Sequence, residues 1–75
     1  MTATRHRNVL QVFRADGLAA GSFGSEGSDP GQFRGPCGVA MDRAGRLLVV
    51  DGRNHRVQVF NCVHQAECLP LLSLQ

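Results

Sequence analysis

The stretch GVAMDRAGRLLVVDGRNHRVQVF, from Gly38 to Phe60, decides how this 75-residue chain folds. Its apolar runs are short: Val39 to Asp42, Leu47 to Val50 and Val57 to Phe60. Turn chemistry separates them. Arg43-Ala44-Gly45-Arg46 supplies a glycine for a positive φ, and Asp51-Gly52-Arg53-Asn54-His55 holds Asp-Gly and Asn. In the last run Val57 and Val59 fall on one face and Gln58 on the other. Runs this short, with glycine recurring between them, predict strands and not a helix. The spacing therefore predicts an antiparallel meander of three strands.

Upstream, Val9 to Phe13 reads as a strand, and Arg14-Ala15-Asp16-Gly17 as a hairpin turn. Leu18 to Phe23 returns as a weaker strand, because Ala19, Ala20 and Gly21 have poor β-propensity. Gly24 to Gly35 is dense in Gly, Ser, Asp and Pro, which makes it a loop, with Phe33 as a single apolar anchor beneath it. The chain thus divides into a frayed leader (1–6), a first pair of strands (7–24), a connecting loop (25–37), the meander (38–60) and a divergent tail (61–75). Ends fray unless they are tied down, so leader and tail are expected to be disordered.

Composition excludes more than it assigns. A net charge of +2 is too small to argue nucleic-acid binding by itself. All eight basic residues are Arg and none is Lys. Arg suits planar, bidentate contacts to phosphate or base edges, although GC-rich coding yields the same bias without any function. Four Phe, with no Tyr or Trp, leave a small core. A chain of about 60 residues removes only about 60% of its unfolded surface from water on folding, so marginal stability is expected. The basic start, Met1 to Arg7, is not followed by an apolar stretch of signal length, and no run is long enough to span a membrane. Three Cys is an odd count, and without a secretory signal it predicts reduced thiols in the cytoplasm.

Catalytic chemistry is thin. The run Gly24 to Gly31 lacks the Gly-Lys-Ser/Thr ending of a phosphate loop, and no helix follows it. Cys62, His64 and Cys68 are metal-ligand types, but their spacing lacks the paired Cys-x₂₋₄-Cys of structural zinc sites and a fourth ligand is not evident. No metal, cofactor or catalytic constellation is expected. Asp42 and Asp51 close strands and serve turns. Asp51, Asn54 and Arg56 read as structural residues, with Arg56 pairing with Asp51 or with a neighbouring element. Arg34, Arg53 and His55 lie in two loops that open on the same end of the meander, because strand direction reverses between them.

Leu10-Gln11-Val12-Phe13 is repeated as Val57-Gln58-Val59-Phe60, at an offset of 47 residues. A period of about 40–50 residues with all-β content and Gly-rich turns points to propeller blades. The series Phe23-Gly24, Gly31-Gln32-Phe33, Gly35-Pro36-Cys37-Gly38-Val39-Ala40-Met41-Asp42, Gly45 to Asp51 and Asn54 to Phe60 resembles an NHL repeat, as in the C-terminal propellers of TRIM-NHL proteins. The resemblance runs from about Val9 to Phe60. It implies an all-β, incomplete propeller: two outer strands of one four-stranded blade and three inner strands of the next, in a ring of about six blades. It further implies a binding module of a ubiquitin ligase family, with Arg34, Arg53 and His55 on a face that recognises RNA or a protein partner. A protein-interaction propeller without an RNA role, an amidating-lyase type of enzyme, and a fragment without independent function are the rival readings. The lyase would need metal-ligating His and a secretory signal, and neither pattern is visible. For Arg34 and Arg53 solvated surface charge competes with ligand contact, and part of the role of His55 is structural.

Overall fold

The computed structural model describes residues 2–14, 16–63 and 67–75, the side chain of residue 63 excepted. Among them there is no α-helix. Strands β1 (Thr2–His6), β2 (Val9–Phe13) and β3 (Ala19–Phe23) form one antiparallel sheet in that order. Strands β6 (Pro36–Met41), β7 (Arg46–Asp51), β8 (Arg56–Val63) and β9 (Glu67–Leu74) form a second, also antiparallel and in sequence order. Between the sheets the connecting segment holds a short parallel pair, β4 (Ser25–Glu26) and β5 (Gln32–Phe33). The chain is thus all-β, two antiparallel sheets joined through a short parallel pair.

The turns form where the sequence supplies the right side chains. At Asp42 one carboxylate oxygen accepts the amides of Ala44 (2.9 Å) and Arg46 (2.8 Å), which is how Asp closes a tight turn. The Arg46 guanidinium donates to the other oxygen at 2.6 Å. Asp16 does the same for the Leu18 amide at 3.1 Å in the first hairpin.

Two expectations are corrected. The leader is strand β1, paired with β2 from Thr2 opposite Phe13 to His6 opposite Val9. The connection is the two residues Arg7 and Asn8, with Arg7 in the left-handed region at φ 54°. That conformation matches the twist of a two-residue hairpin, and the adjoining Thr residues favour strand. The tail is not a disordered extension either. Strand β8 runs on past Phe60, and β9 folds back along it, so the meander has four strands. Pro70 is tolerated because β9 is an edge strand, where a missing amide donor need not break a ladder.

The two sheets pack face to face. Strand β1 lies against β6 and β3 against β9. Leu10, Phe33, Leu47, Val49 and Phe60 are fully buried between them, with Ala3, Phe23, Val39 and Met41 packed around. Phe60 meets Phe23 edge-on at 4.9 Å between centroids and Phe33 at 5.8 Å. The loop anchor foreseen at Phe33 is therefore a central core residue. Gly24 sits where the loop passes this core, at φ 111°, and a Cβ there would lie 2.5 Å from the Asn8 carbonyl oxygen and 3.0 Å from the Phe33 ring. Both the dihedral and the space exclude a side chain, so Gly24→Ala is expected to cost about 1–3 kcal/mol. A urea midpoint equal to that of the unchanged chain would contradict this.

Candidate functional site

The segment 27–34 is held down by one polar cluster. Asp51 ends β7 with its side chain on the core face and is completely buried. Its carboxylate accepts the Arg34 amide (2.7 Å), Asn54 Nδ2 (2.9 Å), Arg56 Nε (2.9 Å) and Gln58 Nε2 (3.3 Å). Asn54 belongs to the 3₁₀ turn, Gly52–Asn54, that joins β7 to β8. Asn54 also donates to the Gly27 carbonyl at 2.9 Å. The Arg56 guanidinium spreads over the carbonyls of Ser28 (2.8 Å), Asp29 (3.2 Å) and Gln32 (2.9 Å). Gln58 accepts the Gly31 amide at 3.0 Å and donates to the Gln32 carbonyl at 2.7 Å. Arg56 and Asp51 form an ion pair whose side chains are 9% and 0% exposed. Burial pushes the Asp51 carboxyl up, but the Arg34 amide, Asn54, Arg56 and Gln58 together outweigh it and hold the group below the ordinary carboxylate range. Among the described residues no buried side-chain nitrogen or oxygen lacks a hydrogen-bond partner. The cluster fixes the loop that carries Arg34.

Above the clamp the loops meet. The Arg53 amide donates to the Arg34 carbonyl at 2.9 Å, which ties the two loops together. Gly35, at φ 61°, lets the Arg53 stem lie over the backbone, since a Cβ there would be 3.3 Å from Arg53 Cγ. The Gly35 amide donates to Asn8 Oδ1 at 3.2 Å and so draws in the first hairpin. The result is a surface cavity of about 330 Å³ lined by Arg7, Asn8, Glu26, Arg34, Gly35 and Arg53. The three Arg are exposed, and none takes part in an ion pair among the described residues. The site carries three positive charges against the one of Glu26.

The structure thus brings Arg34 and Arg53 together and leaves His55 off the lining. His55 is exposed and ends the 3₁₀ turn in the left-handed region at φ 54°, with its amide donating to the Gly52 carbonyl at 3.2 Å. Its visible task is the turn. Arg7, Asn8 and Glu26 escape the sequence reading of the site. The signal for the first two is the Arg-Asn pair between two short runs, which becomes a hairpin turn only once residues 2–6 are allowed to be a strand. Gln58 escapes the reading of the clamp, and its signal is strand parity with Phe60 on the core face.

The tail carries a further correction. Cys62 and Cys68 stand directly opposite each other in the β8–β9 ladder and form a disulfide. The expectation of reduced thiols fails for this pair, because the hairpin brings both sulfurs together; Cys37 is free and exposed. The pair is thereby removed as metal ligands, and His64 lies outside the described residues. Among the described residues no cluster of His, Cys, Asp or Glu is arranged to hold a metal ion. Among the described residues no helix is long and apolar enough to cross a membrane.

Comparison with known proteins agrees with this architecture. The NHL repeat family matches residues 33–60, which span β5 to β8 up to Phe60. Protein wech of Drosophila melanogaster is 43% identical over 54 residues, covering 72% of this chain and 6% of that protein. The E3 ubiquitin-protein ligase TRIM71 of Gallus gallus is 57% identical over 44 residues, covering 59% of this chain and 5% of the ligase. Protein lin-41 of Caenorhabditis elegans is 45% identical over 40 residues, covering 53% and 4%. The chain therefore spans only about one-twentieth of the length of these relatives. It carries an NHL repeat, and over the aligned stretch it resembles the propellers of TRIM-NHL proteins.

Proposed function

We propose that the chain is part of an NHL propeller that acts as a binding module, and that the face carrying Arg7, Arg34 and Arg53 takes single-stranded RNA. The observation that supports this is the meeting of three exposed Arg, none of them in an ion pair among the described residues, around one cavity that Glu26 also lines, at the loop end of the sheets. Arg guanidinium groups suit phosphate contacts and base stacking, and single strands expose both. The module serves recognition and not catalysis in this reading. Its parent is a TRIM-type ubiquitin ligase, in which it selects an RNA or a protein substrate, and neighbouring blades complete the ring. A cytoplasmic setting rests on the resemblance alone, since the disulfide removes the cysteine argument for it.

The test is a salt titration of RNA affinity with these residues in a closed ring. Each Arg that neutralises a phosphate releases counterions, so Arg34→Ala and Arg53→Ala are each expected to lower the slope of log affinity against log salt by roughly 0.7. The double change is expected to lower it by about twice that. Equal slopes for all folded variants would leave the Arg as solvated charge and favour a propeller that binds protein without RNA. His55→Ala is expected to leave the slope alone, since that side chain stands off the cavity.

A further inference from the structure

Strand β9 gives the core a single residue. Of Glu67 to Leu74 only Cys68 packs against it, and the other seven side chains are exposed. Three things hold the strand: its ladder with β8, a contact with β3 and the Cys62–Cys68 bond. The ladder is interrupted midway by a register shift between Val59 and Phe60. The bond joins neighbouring strands across a separation of only six residues. A cross-link this short removes less entropy from the unfolded chain than one that closes a long loop, so its effect falls on β9 more than on the fold as a whole. Both cysteines are half-buried, on the face of the sheet that carries Phe60. A surface cavity of about 280 Å³ opens beside them, between Val12 and Phe23 of the first sheet and Glu67, Cys68 and Leu69 of β9. At about 30 Å³ per water in the liquid, that volume admits the thiol end of a small molecule. What β9 covers is the flank of the clamp. A second cavity, of about 250 Å³, has Pro30 on one side, Arg56 and Gln58 at its base and Pro70 to Ser73 as its outer wall.

We propose that Cys62 and Cys68 are a redox-modification site: a small thiol reduces the bond, β9 leaves β8, and the clamp on loop 27–34 opens to water. The thiolate of the small molecule attacks Cys68 Sγ from the cavity, forms a mixed disulfide and expels Cys62 as thiolate. A second small thiol attacks the mixed disulfide and frees Cys68. The chain gains two electrons and two protons, and two small thiols become one disulfide. Hydrogen peroxide reverses the change: the two cysteine thiols give up two electrons and two protons, and the peroxide becomes two waters. Cys37 takes no part, because it lies on β6 at the Asp51 end of the sheet, whereas Cys62 lies at the Gly45 end. The consequence reaches the clamp through solvent. The Arg56–Asp51 pair is strong because water is kept from it, and the loss of the β9 wall raises the local dielectric and weakens the attraction. The Gly31 amide, held by Gln58, and the Arg34 amide, held by Asp51, then open more often. Nothing in this switch depends on what the Arg cavity binds.

The experiment is amide hydrogen exchange on the full chain carrying Cys37→Ser, which removes the free thiol so that only the pair can react. The chain is measured oxidised, after millimolar reduced glutathione, and again after hydrogen peroxide. Reduction is expected to speed exchange in β9, at Leu69 and Leu71 to Leu74, by roughly tenfold or more. Exchange at Gly31 and Arg34 is expected to rise by a smaller factor, while Leu10 and Val12 in the first sheet keep their protection. Peroxide is expected to restore the slow rates. Cys68→Ala in the same background is expected to show fast β9 exchange in every buffer, which separates loss of the bond from other effects of the reagents. Equal β9 exchange in the two redox states overturns the proposal. So does a bond that glutathione leaves intact in the folded chain. A reduced chain, or a Cys68→Ala chain, that loses protection equally in both sheets also overturns it, since the bond would then hold the whole fold and not one strand. Fast β9 exchange with no change at Gly31 and Arg34 overturns the coupling to the clamp.

Discussion

Asp51→Asn is expected to destabilise the chain by about 3–5 kcal/mol, the cost of removing one partner from a buried ion pair. The side chain is completely buried, and Arg56 beside it is 9% exposed. Asn fits the space but carries no charge for the guanidinium, and its amide turns two donors toward groups that are themselves donors: the Arg34 amide, Asn54 Nδ2, Arg56 Nε and Gln58 Nε2. A domain of this size has a total stability of roughly 4–11 kcal/mol, so much of the population should be unfolded. Because the cluster holds the carbonyls of residues 27, 28, 29 and 32, loop 27–34 should be released first. Amide hydrogen exchange at Gly31 and Arg34, faster than in the unchanged chain, is the specific sign. A urea midpoint within experimental error of the unchanged chain would show that the ion pair does not hold the loop.

The same carboxylate sets the response to acid. Asp51 is held below its ordinary value in the folded chain, so the unfolded chain takes up a proton first as pH falls. The stabilisation is complete above the unfolded value, about 4, and is lost as pH drops through the lower, folded one. Asp42 acts in the same direction through the Arg46 amide and guanidinium. Midpoints should therefore be flat between neutrality and about pH 5, and fall below about pH 4. In Asp51→Asn the fall should be shallower.

Why some of this was legible in the sequence and some was not follows from the range of the forces involved. Asp42, Gly45 and Asp16 set turns through contacts within a few residues, so the meander from Val39 to Phe60 and the hairpin at Asp16 could be read directly. The role of Asp51 was half legible. Asp, Asn and Arg at the end of a strand signal a structured turn, but the carbonyls they hold lie 24 to 28 residues away on the connecting loop. The two ends misled because weak local propensity was taken as decisive. Thr2 to His6 and Glu67 to Leu74 are strands by virtue of the ladder each finds in β2 and β8, and Pro70 argues against a strand only where an amide donor is needed. The Arg cavity needed the leader placed as a strand and three loops brought together, and so only Arg34 and Arg53 of its lining could be named in advance.

Phe60→Ala is the second large effect, about 3–5 kcal/mol from lost transfer energy and the cavity left behind. The ring is fully buried and is the only one of the core rings that belongs to the second sheet itself. Phe23 comes from the first sheet, at 4.9 Å, and Phe33 from the connecting segment, at 5.8 Å. Its removal therefore loosens the contact between sheets more than the ladder within either one. The expected signature is specific: loss of the cooperative urea transition and exposure of apolar surface to a hydrophobic dye, with the far-ultraviolet strand signal partly kept. Phe60→Leu, which refills most of the volume, should recover more than half of the loss. Phe13→Ala is the internal control, since Phe13 occupies the equivalent place in the repeat but lies on the face of the first sheet turned away from the second. It should cost less than Phe60→Ala by at least ~1 kcal/mol in the monomer, because fewer neighbours surround it. Equal costs at the two positions would mean that the sheets are not packed through this ring, and that the chain is held together within each sheet and not between them.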